Sequence, residues 1–272
     1  MLPVAIQLFS LRDEAKQDLV GTLKAVKEYG YDGVEFAGLY GKSPEEIKEL
    51  LREIGLTPVS AHIALPELLA DTQRVIDDYK AIGCKNIVVP WLRAEDRPGG
   101  ANYEETRSNF ERIGKLLAEN GMALSYHNHD FEFVRLENGE LGFDNLYDTI
   151  SPSALKMQLD TCWASVAGKS PIRYLEKYKN RCPLLHLKDY VGEKSENMYE
   201  LIGIDSENPA EKKQCFEFRP VGYGVQDFVS IIKAAENCGV EWLIVEQDSP
   251  TMNKTALECA KMSRDYLKTI GY

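Results

Sequence analysis

Eight short apolar runs punctuate the chain, at residues 4–9, 33–37, 57–63, 86–91, 123–129, 156–160, 184–188 and 242–246. They lack clean polar alternation, as do strands buried on both faces of a parallel sheet. Between them lie segments with apolar residues at helical spacing, such as Leu19, Leu23 and Val26, or Phe228, Ile231, Ile232 and Ala235. The passage from helix to strand repeats one phrase. Tyr29-Gly30 precedes the run at Gly33, Ile54-Gly55 the run at Thr57, and Ile82-Gly83 the run at Asn86. Asn120-Gly121 and Cys238-Gly239 do the same before the fifth and eighth runs. A glycine at this point adopts the left-handed conformation that ends a helix. Helix starts are marked as well: Ser43-Pro44-Glu45-Glu46 reads as a capping box with Pro in the first turn, and Ser170-Pro171 repeats the signal.

Eight strand–helix units in 272 residues average 34 each, which predicts a single-domain (β/α)8 TIM barrel, class α/β, over residues 1–272. The shortest intervening helix is expected at about 144–150. A doubly wound sheet would carry a Gly-rich first turn, whereas here the first run passes into Ser10-Leu11-Arg12-Asp13. No Ser-, Gly- or Pro-rich linker divides the chain. The stretch 190–225, with Gly222-Tyr223-Gly224, is too long for a plain connection and is predicted to elaborate the barrel mouth.

The balance of 32 Lys+Arg against 43 Asp+Glu gives a net charge of −11, which argues against a nucleic-acid partner because phosphate binding needs a basic face. No apolar run approaches the roughly 18 residues of a membrane span, so no membrane partner is expected. Residues 1–7 lack the basic segment, apolar stretch and cleavage site of a secretion signal. Six cysteines at 84, 162, 182, 215, 238 and 259 form no C-x-x-C pair. They are expected to be reduced, mostly buried thiols, and the expected location is cytoplasmic.

In a barrel, chemistry gathers at the C-terminal strand ends. Those ends read Gln7, Glu35, His62, Trp91, His127 with His129, Asp160, His186 with Lys188, and Glu246 with Asp248. All four histidines of the chain are in this set. Ser125, His127 and His129 share one face of the fifth run, Gln158 and Asp160 one face of the sixth, and His186 and Lys188 one face of the seventh. Alone, each would more often be a hydrogen-bonded loop residue than a ligand. Together, pointing into the lumen, they require a metal or a polar network. Carboxylates with one or two imidazoles suit Mn²⁺ or Mg²⁺, with Co²⁺ and Zn²⁺ as alternatives.

Seven segments, in this order, resemble the xylose-isomerase-like barrel superfamily of sugar isomerases, epimerases and inosose dehydratases. They are Gly33-Val34-Glu35, Ser60-Ala61-His62, Tyr126 to Phe133 (YHNHDFEF), Leu159-Asp160-Thr161-Cys162-Trp163, Leu185-His186-Leu187-Lys188-Asp189, Val221-Gly222-Tyr223-Gly224 and Val245-Glu246. Tyr-His-Asn-His and His-Leu-Lys-Asp are the specific ones. The resemblance implies one divalent metal held by Glu132, Asp160, His186 and Glu246, with His127 as the alternative to Glu132. It implies a sugar isomerase or epimerase acting on a ketose or keto-sugar, by proton transfer through a metal-stabilised enediolate. Glu132 and Glu246 would be acid and base, and if a β-hydroxyl or glycosidic oxygen is expelled instead, a protonated His127 or His129 would be the acid for that leaving group. Gln7, Glu35, His62, Trp91, Lys188 and Arg219 would bind substrate. A lyase on the same scaffold, an inosose dehydratase or a 3-keto-glycoside-eliminating enzyme, is the second reading, and a non-catalytic sugar-binding barrel the third. No Gly-rich turn offers a phosphate cradle, which favours a non-phosphorylated sugar. Any homo-oligomer is expected to pair through the rim loops.

Overall fold

The computed structural model describes residues 1–194, 198–199 and 216–272. Eight parallel strands close a barrel: β1 (Val4–Gln7), β2 (Gly33–Phe36), β3 (Thr57–His62), β4 (Asn86–Val89), β5 (Ala123–His127), β6 (Lys156–Asp160), β7 (Leu184–Leu187) and β10 (Trp242–Val245), which returns to β1. Each predicted run contains one of them. Helices surround the barrel: α1 (Arg12–Gln17), α2 (Leu19–Tyr29), α3 (Pro44–Ile54), α4 (Leu65–Ala70), α5 (Thr72–Ile82), α6 (Tyr103–Glu119), α7 (Gly142–Thr149), α8 (Thr161–Val166), α9 (Pro171–Lys177), α10 (Phe228–Asn237) and α11 (Ala256–Thr269). The short helix expected near 144–150 is α7.

Local sequence explains the boundaries. Gly55 and Gly83 end α3 and α5 at φ of 79° and 100°, where a Cβ would be strained. At the start of α3, Ser43 Oγ accepts from the Glu46 N–H at 3.2 Å, and the Glu46 carboxylate accepts from the Ser43 N–H at 2.8 Å. This is the capping box that the sequence announced.

Two of the three apolar clusters among the described residues set the height of the site. The larger lies between sheet and helices, including Ile6, Val34, Phe36, Ile87, Leu124, Leu159 and Leu243. The smaller fills the lower lumen: Ala5, Val59, Val88, Leu184 and Ile244, with Trp242 packed against them. Period-two alternation then lifts Gln7, Glu35, His186 and Glu246 above this plug. Registers set their neighbours, with Gln7 beside Glu35 and Asp160 beside His186.

The stretch 190–225 lies partly outside the described residues, at 195–197 and 200–215. Its described part is more ordered than a plain loop. Strand β8 (Asp189–Val191) pairs antiparallel with β9 (Glu217–Arg219). The Asp189 carboxylate accepts from the N–H groups of Tyr190, Gly222, Gly224 and Gln226 at 2.8–3.2 Å. Cys84, Cys162, Cys182, Cys238 and Cys259 are buried and unpaired, and Cys215 is outside the described residues. Among the described residues no helix is long and apolar enough to cross a membrane.

Candidate active site

Glu35 is the hub beneath the barrel mouth. It has no solvent exposure, yet its carboxylate accepts from Gln7 Nε2 at 2.7 Å, Ser60 Oγ at 2.6 Å and Gln158 Nε2 at 2.6 Å. His186 Nε2 lies 2.7 Å and His62 Nε2 3.0 Å from Glu35 Oε1. Burial alone would raise its pKa, but the charges and hydrogen bonds of His62 and His186 hold it well below the usual carboxylate range. In turn, burial opposes a proton on His186, while Glu35 and Glu246 override that and push its pKa up to about 10.

The network sets which ring nitrogen meets which partner. With Nε2–H of His186 directed at Glu35, its Nδ1 faces Glu246 Oε2 at 3.1 Å. His127 Nδ1 bonds Gln158 Oε1 at 3.0 Å, leaving Nε2 to face Asp160 Oδ2 at 3.8 Å. Asp160 Oδ1 accepts from the Trp163 N–H at 2.8 Å, but Oδ2 is buried without a hydrogen-bond partner. Burial pushes the Asp160 pKa up to about 7. Four groups thus converge. His127, Asp160, His186 and Glu246 each offer one ligand atom, all within 4.8 Å of one another. An orphaned buried oxygen among two imidazoles and two carboxylates is chemistry that fits a divalent cation. His62, His127 and His186 make a second, all-imidazole group.

Glu132 stands outside this cluster. Its carboxylate accepts from the Tyr126 hydroxyl and, at 2.8 Å, from the His129 N–H. Burial raises its pKa to about 7. The strand-five member of the metal-capable group is therefore His127, which was the alternative in the sequence. The chain turns in a short 3-10 helix at Phe131–Phe133, which directs Glu132 back into the wall.

A cavity of about 600 Å³ opens above the hub, lined on its polar side by His62, His127, His129, Lys188, Glu246 and Asp248, with Trp91 also in its wall. Lys188 is buried, donates to Glu246 Oε2 at 2.9 Å and forms an ion pair with Asp248 Oδ2 at 2.5 Å, with Asp160 Oδ2 at 4.0 Å. Burial would favour the neutral amine, but Asp248 and Glu246 hold its pKa above the ordinary value. Lys188 and His186 likewise keep Glu246 ionised despite burial. Burial disfavours protonation of both His127 and His129, helped by His186 at the first and Lys188 at the second. The protonated histidine acid expected from the sequence is thus opposed by its surroundings.

Three expected substrate contacts lie elsewhere. Gln7 and Glu35 do not line the cavity; they brace His186 from below. Arg219 sits on β9 and pairs with Glu217 at 2.7 Å, because the antiparallel pairing directs it to its own strand. Gln158, Ser60 and Asp248 belong to the site and were not assigned roles from sequence. The signal for Gln158 was present, since it shares a strand face with Asp160.

Fold and cluster together define a parallel-stranded barrel with a metal-capable site at the C-terminal ends of its strands, and comparison places the chain in a family. Residues 23–269 match the xylose isomerase-like TIM barrel family, and the chain belongs to it. Among curated proteins it is similar to the inosose dehydratase of Geobacillus kaustophilus, 26% identical over 94% of this chain and 88% of that protein. Similarity to the inosose dehydratase of Clostridium botulinum is also 26%, over 88% and 85%. Among solved structures, a sugar phosphate isomerase/epimerase from Parabacteroides distasonis has a TM-score of 0.79 at 22% identity, covering 98% of this chain and 93% of that one. The probable 3-DHS dehydratase of Bacillus anthracis has a TM-score of 0.73 at 14% identity, covering 98% and 99%. These two likenesses establish fold alone.

Proposed function

We propose that this protein is a lyase that removes water from a cyclic keto-polyol, with a divalent metal held by His127, Asp160, His186 and Glu246. The observation that carries this reading is the asymmetry of the acid–base groups. Glu246 is the only carboxylate of the metal-capable cluster that lines the cavity, while Glu132 is engaged by Tyr126 and the His129 backbone. Epimerisation uses two bases on opposite faces of one carbon. One ionised carboxylate of the metal-capable cluster facing the cavity, beside imidazoles of His127 and His129 that burial keeps neutral, suits removal of an α-proton with loss of the β-hydroxyl. Similarity to inosose dehydratases along most of the chain supports the same choice, and the isomerase or epimerase reading has less behind it.

The metal, when bound, would supply a Lewis acid for the substrate carbonyl oxygen. Glu246 accepts the proton from the α-carbon as the C–Hα electron pair moves toward the carbonyl. As the β-hydroxyl departs, that proton passes to it, water leaves, and Glu246 is a carboxylate again. Lys188, fixed between Glu246 and Asp248, orients the base. His129 Nδ1 has no partner within the protein and offers a ring nitrogen to a substrate hydroxyl. Gln7, Ser60, Gln158 and Glu35 hold His186 and His127 in register.

The test is incubation of the metal-loaded protein in D₂O with a panel of inososes, ketoses and 3-keto-glycosides. We expect loss of water, and Glu246→Gln should lower the rate by about 10²–10⁴-fold. An isomeric product with α-deuterium would return the assignment to an isomerase or epimerase. Binding without exchange or turnover would make the protein a sugar-binding barrel.

A further inference from the structure

We infer that the β1–β4 side of the cavity is a subsite for an aryl group carried by the substrate ring. The inference rests on the reading of the cavity as the site of a cyclic keto-polyol. A volume of about 600 Å³ falls in the range that accepts drug-sized ligands, more than one polyol ring fills.

Its two halves differ in chemistry. His127, His129, Lys188, Glu246 and Asp248 follow β5 to β10, whereas Phe9, Ala37, Ala64, Pro90 and Trp91 follow β1 to β4 and outnumber the polar groups there, His62 and Glu67. A second unsubstituted polyol ring would bury hydroxyls against carbon, which is costly without hydrogen-bond partners. An aryl ring meets no such penalty, and burying it is favourable.

Two details sharpen the class of ligand. Trp91 Nε1–H is buried without a partner in the protein, a donor on a residue of the cavity wall. It fits one acceptor atom, such as the oxygen that joins a ring to an aryl group. Both aromatic wall residues are also braced. Arg12 stacks 4.3 Å from the Phe9 ring and donates to the carbonyls of Phe9 and Asp248. Arg97 lies 5.1 Å from the Trp91 ring and 3.5 Å from that of Phe131, tied to the Leu92 carbonyl at 2.8 Å. Rings held in this way lose little freedom when a flat partner arrives.

Calorimetry with a phenyl hexopyranoside and the parent hexose tests the subsite without relying on turnover. The phenyl compound should bind at least about tenfold more tightly. Trp91→Ala should reduce that advantage to about threefold or less. Ala64 is exposed and precedes helix α4 (Leu65–Ala70) in extended conformation, where Asp is a favoured cap. Ala64→Asp should therefore fold while weakening the phenyl compound about fivefold more than the hexose. Equal affinity of the two compounds, no detectable binding of the phenyl compound, or an advantage unchanged in Trp91→Ala would each overturn the subsite. Aryl preference without any elimination would leave the subsite standing and sink the lyase. Dehydration of an unsubstituted keto-polyol with no aryl advantage would do the reverse.

Discussion

Glu35 loses all contact with water and is surrounded by Gln7, Ser60, Gln158, His62 and His186. A buried carboxylate survives only with such partners, so its role is set by what it holds and not by what it touches in the cavity. The same reasoning separates His127 from Glu132. His127 has a ring nitrogen facing Asp160, whereas both oxygens of Glu132 are already engaged. We expect His127→Ala to weaken metal binding by about 10²-fold or more, since it removes a ligand where even outer-shell partners are worth 10–100-fold. Glu132→Gln should leave metal content near one equivalent. Equilibrium dialysis with metal analysis decides the matter. Loss of metal in Glu132→Gln with retention in His127→Ala would make Glu132 the ligand.

At the scale of elements, the capped helices were legible because each boundary is a local event: Ser43 bonds Glu46 three residues away, and Gly55 turns its own backbone. The β8–β9 pair was not legible. Each strand has three residues, too few for a periodic pattern, and their partnership spans the segment 195–215. Asp189 fixes that strand pair through N–H groups that no side-chain pattern reveals. Gly224 allows this approach, since a Cβ there would lie 2.3 Å from Asp189 Oδ1 and 2.4 Å from the Tyr190 carbonyl oxygen. Gly224→Ala is therefore expected to cost about 1–3 kcal/mol, read by urea denaturation. A variant within about 0.5 kcal/mol of the parent, the range of ordinary surface substitutions, would mean that the strand pair shifts without penalty.

Across the whole molecule, ring closure brings Glu35 and His186 together from 151 positions apart. It also concentrates part of the acidic excess around one point, which makes metal binding a matter of pH. The folded pKa of Asp160, about 7, lies above its ordinary 3.8, so the metal-free protein loses that stability as pH rises from about 4 through 7. His186, raised from 6.5 to about 10, loses its contribution between those values. A metal must displace both protons, so its stabilisation grows as pH rises. Melting curves with and without Mn²⁺ should show a Tm increase larger at pH 8 than at pH 6, by about 3 °C. An increase independent of pH would count against Asp160 and His186 as ligands.

What the sequence determined by itself was everything that rests on short range: eight buried strands, the Gly-ended helices, and the polar tips of the strands, including the Tyr-His-Asn-His and His-Leu-Lys-Asp segments. Alternation told which residues share a face. It could not tell which of them meet across the ring, because that depends on registers between strands far apart in sequence. Only the closed barrel decided that Glu35 and Gln7 support His186, that Arg219 stays on its strand pair, and that Glu132 turns into the wall while His127 joins Asp160, His186 and Glu246. The physical reason is burial: once water is excluded, each polar group must find its partner in the folded chain, and proximity in space selects it.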